Sequence, residues 1–282
     1  MQRIRSLSEV IEGYDALLVD VWGVMHDGRA VFPGVPELLR GLREDGTVVV
    51  LLTNVPRPSS ALPRTLRRLG LPDDAWDAIV TSGDAIRLEL ARRAPGPMLR
   101  IGRDTDVALW EGLGLETTGL DGAAFVAISG LADPTETPQD YARVLRAARA
   151  RDLELLCANP DIQVQSGDRL LWCAGAVARE YAALGGRVVQ AGKPHSAIYA
   201  RARDAIDRVA RRHVPSDRIL AIGDGVATDI VGANRMGLDS VFIGTGIHGD
   251  SLMTNGYLDV RRAEELLRAS GAAATYAMAR LA

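Results

Sequence analysis

Lysine occurs once in this chain, at Lys193, so 32 of its 33 basic residues are arginine. An arginine bias of that kind follows from nucleotide composition and carries no functional weight. The lone ammonium is another matter, because a compact point charge and a planar guanidinium are not interchangeable. Cysteine is nearly as scarce: Cys157 and Cys173 stand 16 residues apart. They lack Cys-x-x-Cys spacing, which argues against a disulfide framework or a zinc site and for two small buried apolar side chains in a reducing compartment. Long apolar runs are missing too. The longest, around Val48-Val49-Val50-Leu51-Leu52, is far too short to span a bilayer. Met1 to Tyr14 carry mixed charge without the apolar core of a secretory signal, so the expectation is a cytoplasmic protein with no membrane partner. There is no basic excess either: the formal net charge is −3, which argues against a nucleic-acid partner. His26, His195, His213 and His248 are scattered and form no metal-ligand pattern of the His-Glu-x-x-His type.

What is present is an ordinary globular composition, 47% hydrophobic and 24% charged over 282 residues, long enough for about two domains. Short apolar runs read as buried strands at Ala16–Val21, Thr47–Thr53, Ala78–Thr81 and Ile219–Ile222. Between the first two, Val35, Leu38, Leu39 and Leu42 form the stripe of an amphipathic helix. Leu62, Leu66 and Leu69 form another, ending at Gly70. Strand, crossover helix and strand again is the pattern of a parallel α/β sheet. The middle of the chain reads as a second α/β unit. Its strands are expected at Met98–Ile101, Phe125–Ile128 and Leu153–Cys157, with a helix marked by Tyr141, Val144, Leu145 and Ala148. A turn at Gly185-Gly186 precedes the strand Arg187–Gln190. The expected organisation is therefore a discontinuous core, residues 1–82 and 187–282, with an α/β unit inserted at 83–186.

Asp20 stands at the end of the apolar run Leu17-Leu18-Val19. In open α/β sheets ligands bind at that edge, and an acid there is costly to bury unless it is paired, metal-bound or functional; taken alone, a strand-end capping role is as good a reading. Three further segments shift the balance. Thr53-Asn54 end a second strand with a hydroxyl and an amide suited to phosphate oxygens. Gly192-Lys193-Pro194 offers an ammonium beside a turn. Gly223-Asp224-Gly225 ends another strand, with Asp229 five residues after Asp224. Asp20, Asp224 and Asp229 form a hard-oxygen set suited to Mg²⁺.

These four segments, in this order, resemble the four motifs of the haloacid dehalogenase-like (HAD) hydrolases, and the insertion between the second and third resembles the cap of the class IIA, NagD-like phosphatases. Thr81-Ser82-Gly83, Asn159-Pro160-Asp161 and Thr245-Gly246-Ile247 support the likeness, which covers roughly residues 14–250. The resemblance implies a Rossmann-like parallel core, an aspartyl-phosphate formed on Asp20, and phosphate held by Thr53, Asn54 and Lys193. It implies Mg²⁺ held by Asp20, the Trp22 carbonyl and Asp224, with Asp229 either a further ligand or an acceptor just outside the ligand set, and with Lys193 offsetting the charge of nucleophile and phosphate. The implied partner is a small phosphorylated metabolite, and relatives of this class make a homodimer possible. In the cap, Asn159, Asp161 and Arg169 are the candidates for substrate selection.

Trp22 departs from the family pattern. Phosphatases of this kind carry a second Asp two residues after the nucleophile, which protonates the leaving alcohol and then activates water. An indole donates a hydrogen bond but is neither acid nor base, and loss of a positioned acid–base typically costs ~10²–10⁴-fold in rate. Three readings follow: a slow phosphatase, or one with a substitute acid such as His26 or Asp27; a protein that binds or senses a phosphorylated ligand; or a 2-haloacid dehalogenase, since those enzymes carry an aromatic residue at this position. The dehalogenase accounts least well for Asp224 and Asp229. His26-Asp27-Gly28 also reads as a polar turn, and His195 as the start of the helix bearing Ile198, Ala202, Ala205 and Val209.

Overall fold

The computed structural model describes residues 1–167 and 169–282. In chain order its strands are β1 (Gln2–Arg3), β2 (Ala16–Val19), β3 (Val48–Thr53), β4 (Ala78–Thr81), β5 (Met98–Ile101), β6 (Phe125–Ile128), β7 (Glu154–Cys157) and β8 (Gln163–Ser166). There follow β9 (Arg169–Trp172), β10 (Val188–Gln190), β11 (Ile219–Gly223), β12 (Asp239–Ile243), β13 (Met253–Thr254), β14 (Tyr257–Leu258) and β15 (Tyr276–Met278). Seven of them form a parallel sheet in the order β1-β15-β12-β11-β2-β3-β4. The central strands β2, β3 and β11 are apolar without alternation because both faces are covered. Leu18, Val50, Leu52 and Ala221 point to one face, against Ile198, Ala202 and Ile206 of the helix Ser196–Ala210. Leu17, Val19, Leu51 and Ile222 point to the other, against Leu39 and Leu66 of the helices Val35–Glu44 and Leu62–Leu69.

A second parallel sheet has the order β10-β7-β6-β5. One face packs Val126, Ile128 and Leu155 against Leu145, Val177 and Tyr181 of the helices Ala142–Ala150 and Ala174–Ala183. The opposite face, through Phe125, Ala127 and Leu156, shares an apolar cluster with Ile86 and Leu90 of the helix Ser82–Ala91 and with the core strands. β8 and β9 form a separate antiparallel hairpin.

Two findings differ from the sequence reading. The strand after Gly186, expected to open the second half of the core, pairs instead with β7, Val188 opposite Leu155. It completes the smaller sheet, because three inner strands leave the β7 edge open and Val188-Val189 offers an apolar rung. β1, β8, β9, β12, β13, β14 and β15 are additions to that reading; each is short or flanked by polar residues, so periodicity is weak.

Candidate active site

Side-by-side pairing of β2 and β11, with Val19 opposite Ile222, sets the residues that follow them next to each other. Those residues are Asp20 and Asp224, both buried. The Asp20 amide extends the ladder by donating to the Ile222 carbonyl at 2.8 Å. Asp229 follows on the wide helical turn Val226–Ile230, where its Oδ2 accepts from the Gly225 amide at 3.0 Å. Carboxylate oxygens of Asp20, Asp224 and Asp229 all lie within 4.8 Å of one another.

Glycine makes this crowding possible. Gly23 has φ +87°, and a Cβ there would sit 2.2 Å from Asp224 Oδ2. A Cβ on Gly246 would sit 1.8 Å from the same oxygen. Beside it, the Ile247 amide donates to Asp224 Oδ2 at 2.6 Å.

Lys193 enters from the segment after β10 and is 2% exposed. Its Nζ donates to Asp20 Oδ1, to Asp229 Oδ1 at 2.6 Å and to the Leu52 carbonyl at 2.9 Å. All three ammonium donors are thereby used. Asn54 fixes this segment: its Oδ1 accepts from the Lys193 amide at 2.7 Å and its Nδ2 donates to the Lys193 carbonyl at 3.2 Å. Thr53, also buried, borders the same cavity.

The electrostatics follow from burial. Three buried carboxylates face one ammonium, so the cluster carries surplus negative charge away from water. Burial pushes Asp20 well above the ordinary carboxylate range; Lys193 pulls it back, while Asp229 and Asp224 push it further. Asp224 is pushed up to about 7, first by burial and then by Asp229. Burial alone would lower Lys193, but Asp20, Asp229 and Asp161 outweigh it and hold the ammonium protonated well above its usual range. A divalent cation among the three carboxylates would cancel the surplus, and all-oxygen donors fit a hard ion.

The cluster opens on a cavity of about 330 Å³, bounded on the far side by Pro160–Gln165 of the inserted unit. Asp161 lies in its wall, with Oδ1 accepting from Asn54 Nδ2 at 2.8 Å. Asn159 stands behind it, its Oδ1 accepting the Asp161 amide at 3.0 Å, so it orients the loop and does not line this cavity. Arg169, the third residue expected here, is exposed at the start of β9 and lines no part of the cavity. Arg169 and Leu170 at the start of β9 face solvent, so Arg169 is corrected as a residue of this cavity.

Trp22 does line the cavity, and its indole N–H donates to the Gln165 carbonyl on the hairpin. The ring meets His26 edge-on with centroids 5.1 Å apart. His26 Nδ1 accepts from the Gly28 amide at 2.9 Å, and burial pulls the ring down to about 4. Asp27 caps the same turn, accepting from the Arg29 and Ala30 amides. The pair is thus a turn, with neither residue on the cavity wall. His195 precedes the helix Ser196–Ala210, its Nε2 3.1 Å from Gln190 Oε1.

Sequence reasoning passed over Gly23, Gln165 and the Leu52 carbonyl. Of these only Gly23, directly after Trp22, left a readable signal; main-chain partners leave none.

Two family models match this chain, a haloacid dehalogenase-like hydrolase model over residues 17–116 and a HAD-hydrolase-like model over 190–266. Among solved structures, a haloacid dehalogenase-like hydrolase from Brucella suis is 40% identical, with TM-score 0.89 over 99% of this chain and 100% of that one. A glycerol phosphate phosphatase from Mycobacterium tuberculosis, solved in complex with calcium, is 27% identical, with TM-score 0.61 over 84% of this chain and 68% of that one. Chronophin from Rattus norvegicus is 26% identical over 87% of this chain and 82% of its own length.

Proposed function

This chain belongs to the haloacid dehalogenase-like hydrolases, in their class IIA, and on that premise we propose that it is a magnesium-dependent phosphatase of a small phosphorylated metabolite. The observation that carries the reading is the buried set Asp20, Lys193, Asp224 and Asp229 opening on one small cavity. A volume of about 330 Å³ lies at the small end of ligand pockets. The relatives include proteins named for phosphatase activity on glycerol phosphate, which supports the substrate class. In this reading residues 83–186, together with β10, form the cap, and the rest of the chain forms the core.

Asp20 attacks phosphorus and the ester oxygen leaves, so that an aspartyl-phosphate forms; water then releases phosphate and restores the carboxylate. Thr53 and the Asn54 main chain hold the phosphoryl oxygens. Lys193 keeps the nucleophile and the incoming dianion from repelling each other, and does so at a fixed position with no reorganisation. Asp20, the Trp22 carbonyl, Asp224 and Asp229 would hold Mg²⁺. When bound, the cation supplies charge stabilisation for the transferring group.

The test is release of inorganic phosphate from a panel of phosphorylated metabolites, with and without Mg²⁺. Metal-dependent release that Asp20→Asn abolishes is expected. A wild-type protein that releases none, yet binds inorganic phosphate, would instead support the second reading, a phosphate-ligand binding protein. Trp22 at the usual acid position favours that alternative. Halide release from 2-haloacids without metal would move the assignment to a dehalogenase.

A further inference from the structure

We propose that Asp161, carried into the site by the inserted unit, is the proton donor that position 22 does not provide. The inference rests on the phosphatase reading above and adds to it a catalytic residue from the cap. Position 22 is closed to this role twice over: the indole has no proton to transfer, and its N–H is committed to the Gln165 carbonyl. Outside the carboxylate cluster and Lys193, the residues of the cavity wall include two protonatable side chains, Asp161 and His248. His248 lies beside Phe242, and burial pulls it below the usual histidine range, which disfavours the protonated form a donor needs.

Asp161 has the required properties. Asn54 grips Oδ1 at 2.8 Å, while Oδ2 takes no hydrogen bond from any described residue. The same Asn54 side chain holds the Lys193 main chain on both sides. The acid is therefore registered against the ammonium that contacts the nucleophile. Burial, with Asp229, raises the carboxyl above its ordinary range, against the pull of Lys193 and the Asn54 amide. That favours the protonated form a donor needs.

The step balances. Asp20 forms a bond to phosphorus as the bond from phosphorus to the ester oxygen breaks. The electron pair stays on that oxygen, which takes the Asp161 proton and leaves as an alcohol. Asp161 is now a carboxylate. When water adds to the aspartyl-phosphate, Asp161 accepts its proton, so inorganic phosphate, free Asp20 and protonated Asp161 are regenerated.

The experiment compares Asp161→Asn with wild type, both with Mg²⁺, on p-nitrophenyl phosphate and on an alkyl ester such as glycerol phosphate. Asn retains the oxygen that accepts the Asn54 amide but has no proton to give. A nitrophenolate leaves without protonation, whereas an alkoxide does not. The expected result is a loss of kcat/KM of ~10²–10⁴-fold on the alkyl ester and of less than about tenfold on the aryl ester. Equal losses on both would assign Asp161 a structural role and overturn the proposal. Wild type alone gives a second reading that needs no variant. Across aryl and alkyl esters of rising leaving-group pKa, a shallow fall in rate is expected, and a steep one would overturn the proposal. If wild type releases phosphate from neither class, the phosphatase reading itself fails, a result distinct from either of these.

Discussion

At the scale of single residues, the chemistry of the site depends on how few groups share the charge. Lys193 Nζ is buried and touches three oxygens. A guanidinium is longer and planar, with its donors spread over a fork, and cannot direct three hydrogen bonds from one point. Lys193→Arg should therefore lower kcat/KM by ~10²-fold or more and raise the inhibition constant for inorganic phosphate. Unchanged inhibition by phosphate would show that the ammonium is not part of the phosphate site. The four polar strand ends were legible because burying acids and a lysine is expensive, and such residues next to apolar runs stand out in a sequence. Arg169 was misplaced for the opposite reason. A polar residue at the solvated start of a short strand costs nothing, so its sequence holds no record of which way it faces.

At the scale of elements, the joint between the core loop after β2 and the hairpin β8–β9 governs how the cavity is covered. Trp22 binds the Gln165 carbonyl, and the Gly167 amide donates to the Asp27 carbonyl at 3.4 Å. Trp22→Phe keeps an aromatic ring on the cavity wall and removes the indole donor. A net hydrogen bond is worth about 0.5–1.5 kcal/mol, so hydrogen exchange at 163–166 should quicken by roughly three- to tenfold. KM should rise more than kcat falls, because the hairpin closes the site without touching the reacting atoms. Protection at 163–166 equal to wild type would show that the bond does not hold the hairpin. This joint was unreadable from the sequence. Gln163-Val164-Gln165-Ser166 is too short for its alternation to register, and the partner of Trp22 is a main-chain oxygen that any residue could supply.

At the scale of the whole molecule, the parallel core was legible from its strand–helix alternation, since strands covered on both faces read as plain apolar runs. The far edge of the inserted unit was not. β10 belongs by pairing to the smaller sheet, although the motif that follows it, Gly192-Lys193-Pro194, belongs by function to the larger. No composition shift marks a crossing between layers that are both α/β. Among the described residues no helix is long and apolar enough to cross a membrane.

The crossing concentrates charge where the two units meet, and that charge sets a pH dependence for the protein as a whole. Asp224 ionises near 3.8 when free and is pushed up to about 7 by burial and by Asp229. Without metal, the folded state thus binds a proton that the unfolded chain has released. Its contribution to stability is complete below about pH 4 and is lost as pH rises through about 7, each tenfold difference in proton affinity between the two states being worth about 1.4 kcal/mol. A divalent cation reverses the sign, because it binds the carboxylate and competes with the proton. The rise in Tm on adding Mg²⁺ should accordingly be small at pH 5 and large at pH 8. Thermal melts of metal-free and Mg²⁺-loaded protein between these limits measure it directly. A metal-induced rise that shrinks with increasing pH would mean that Asp224 is not among the ligands. One that persists in Asp224→Asn would mean that the cation binds elsewhere.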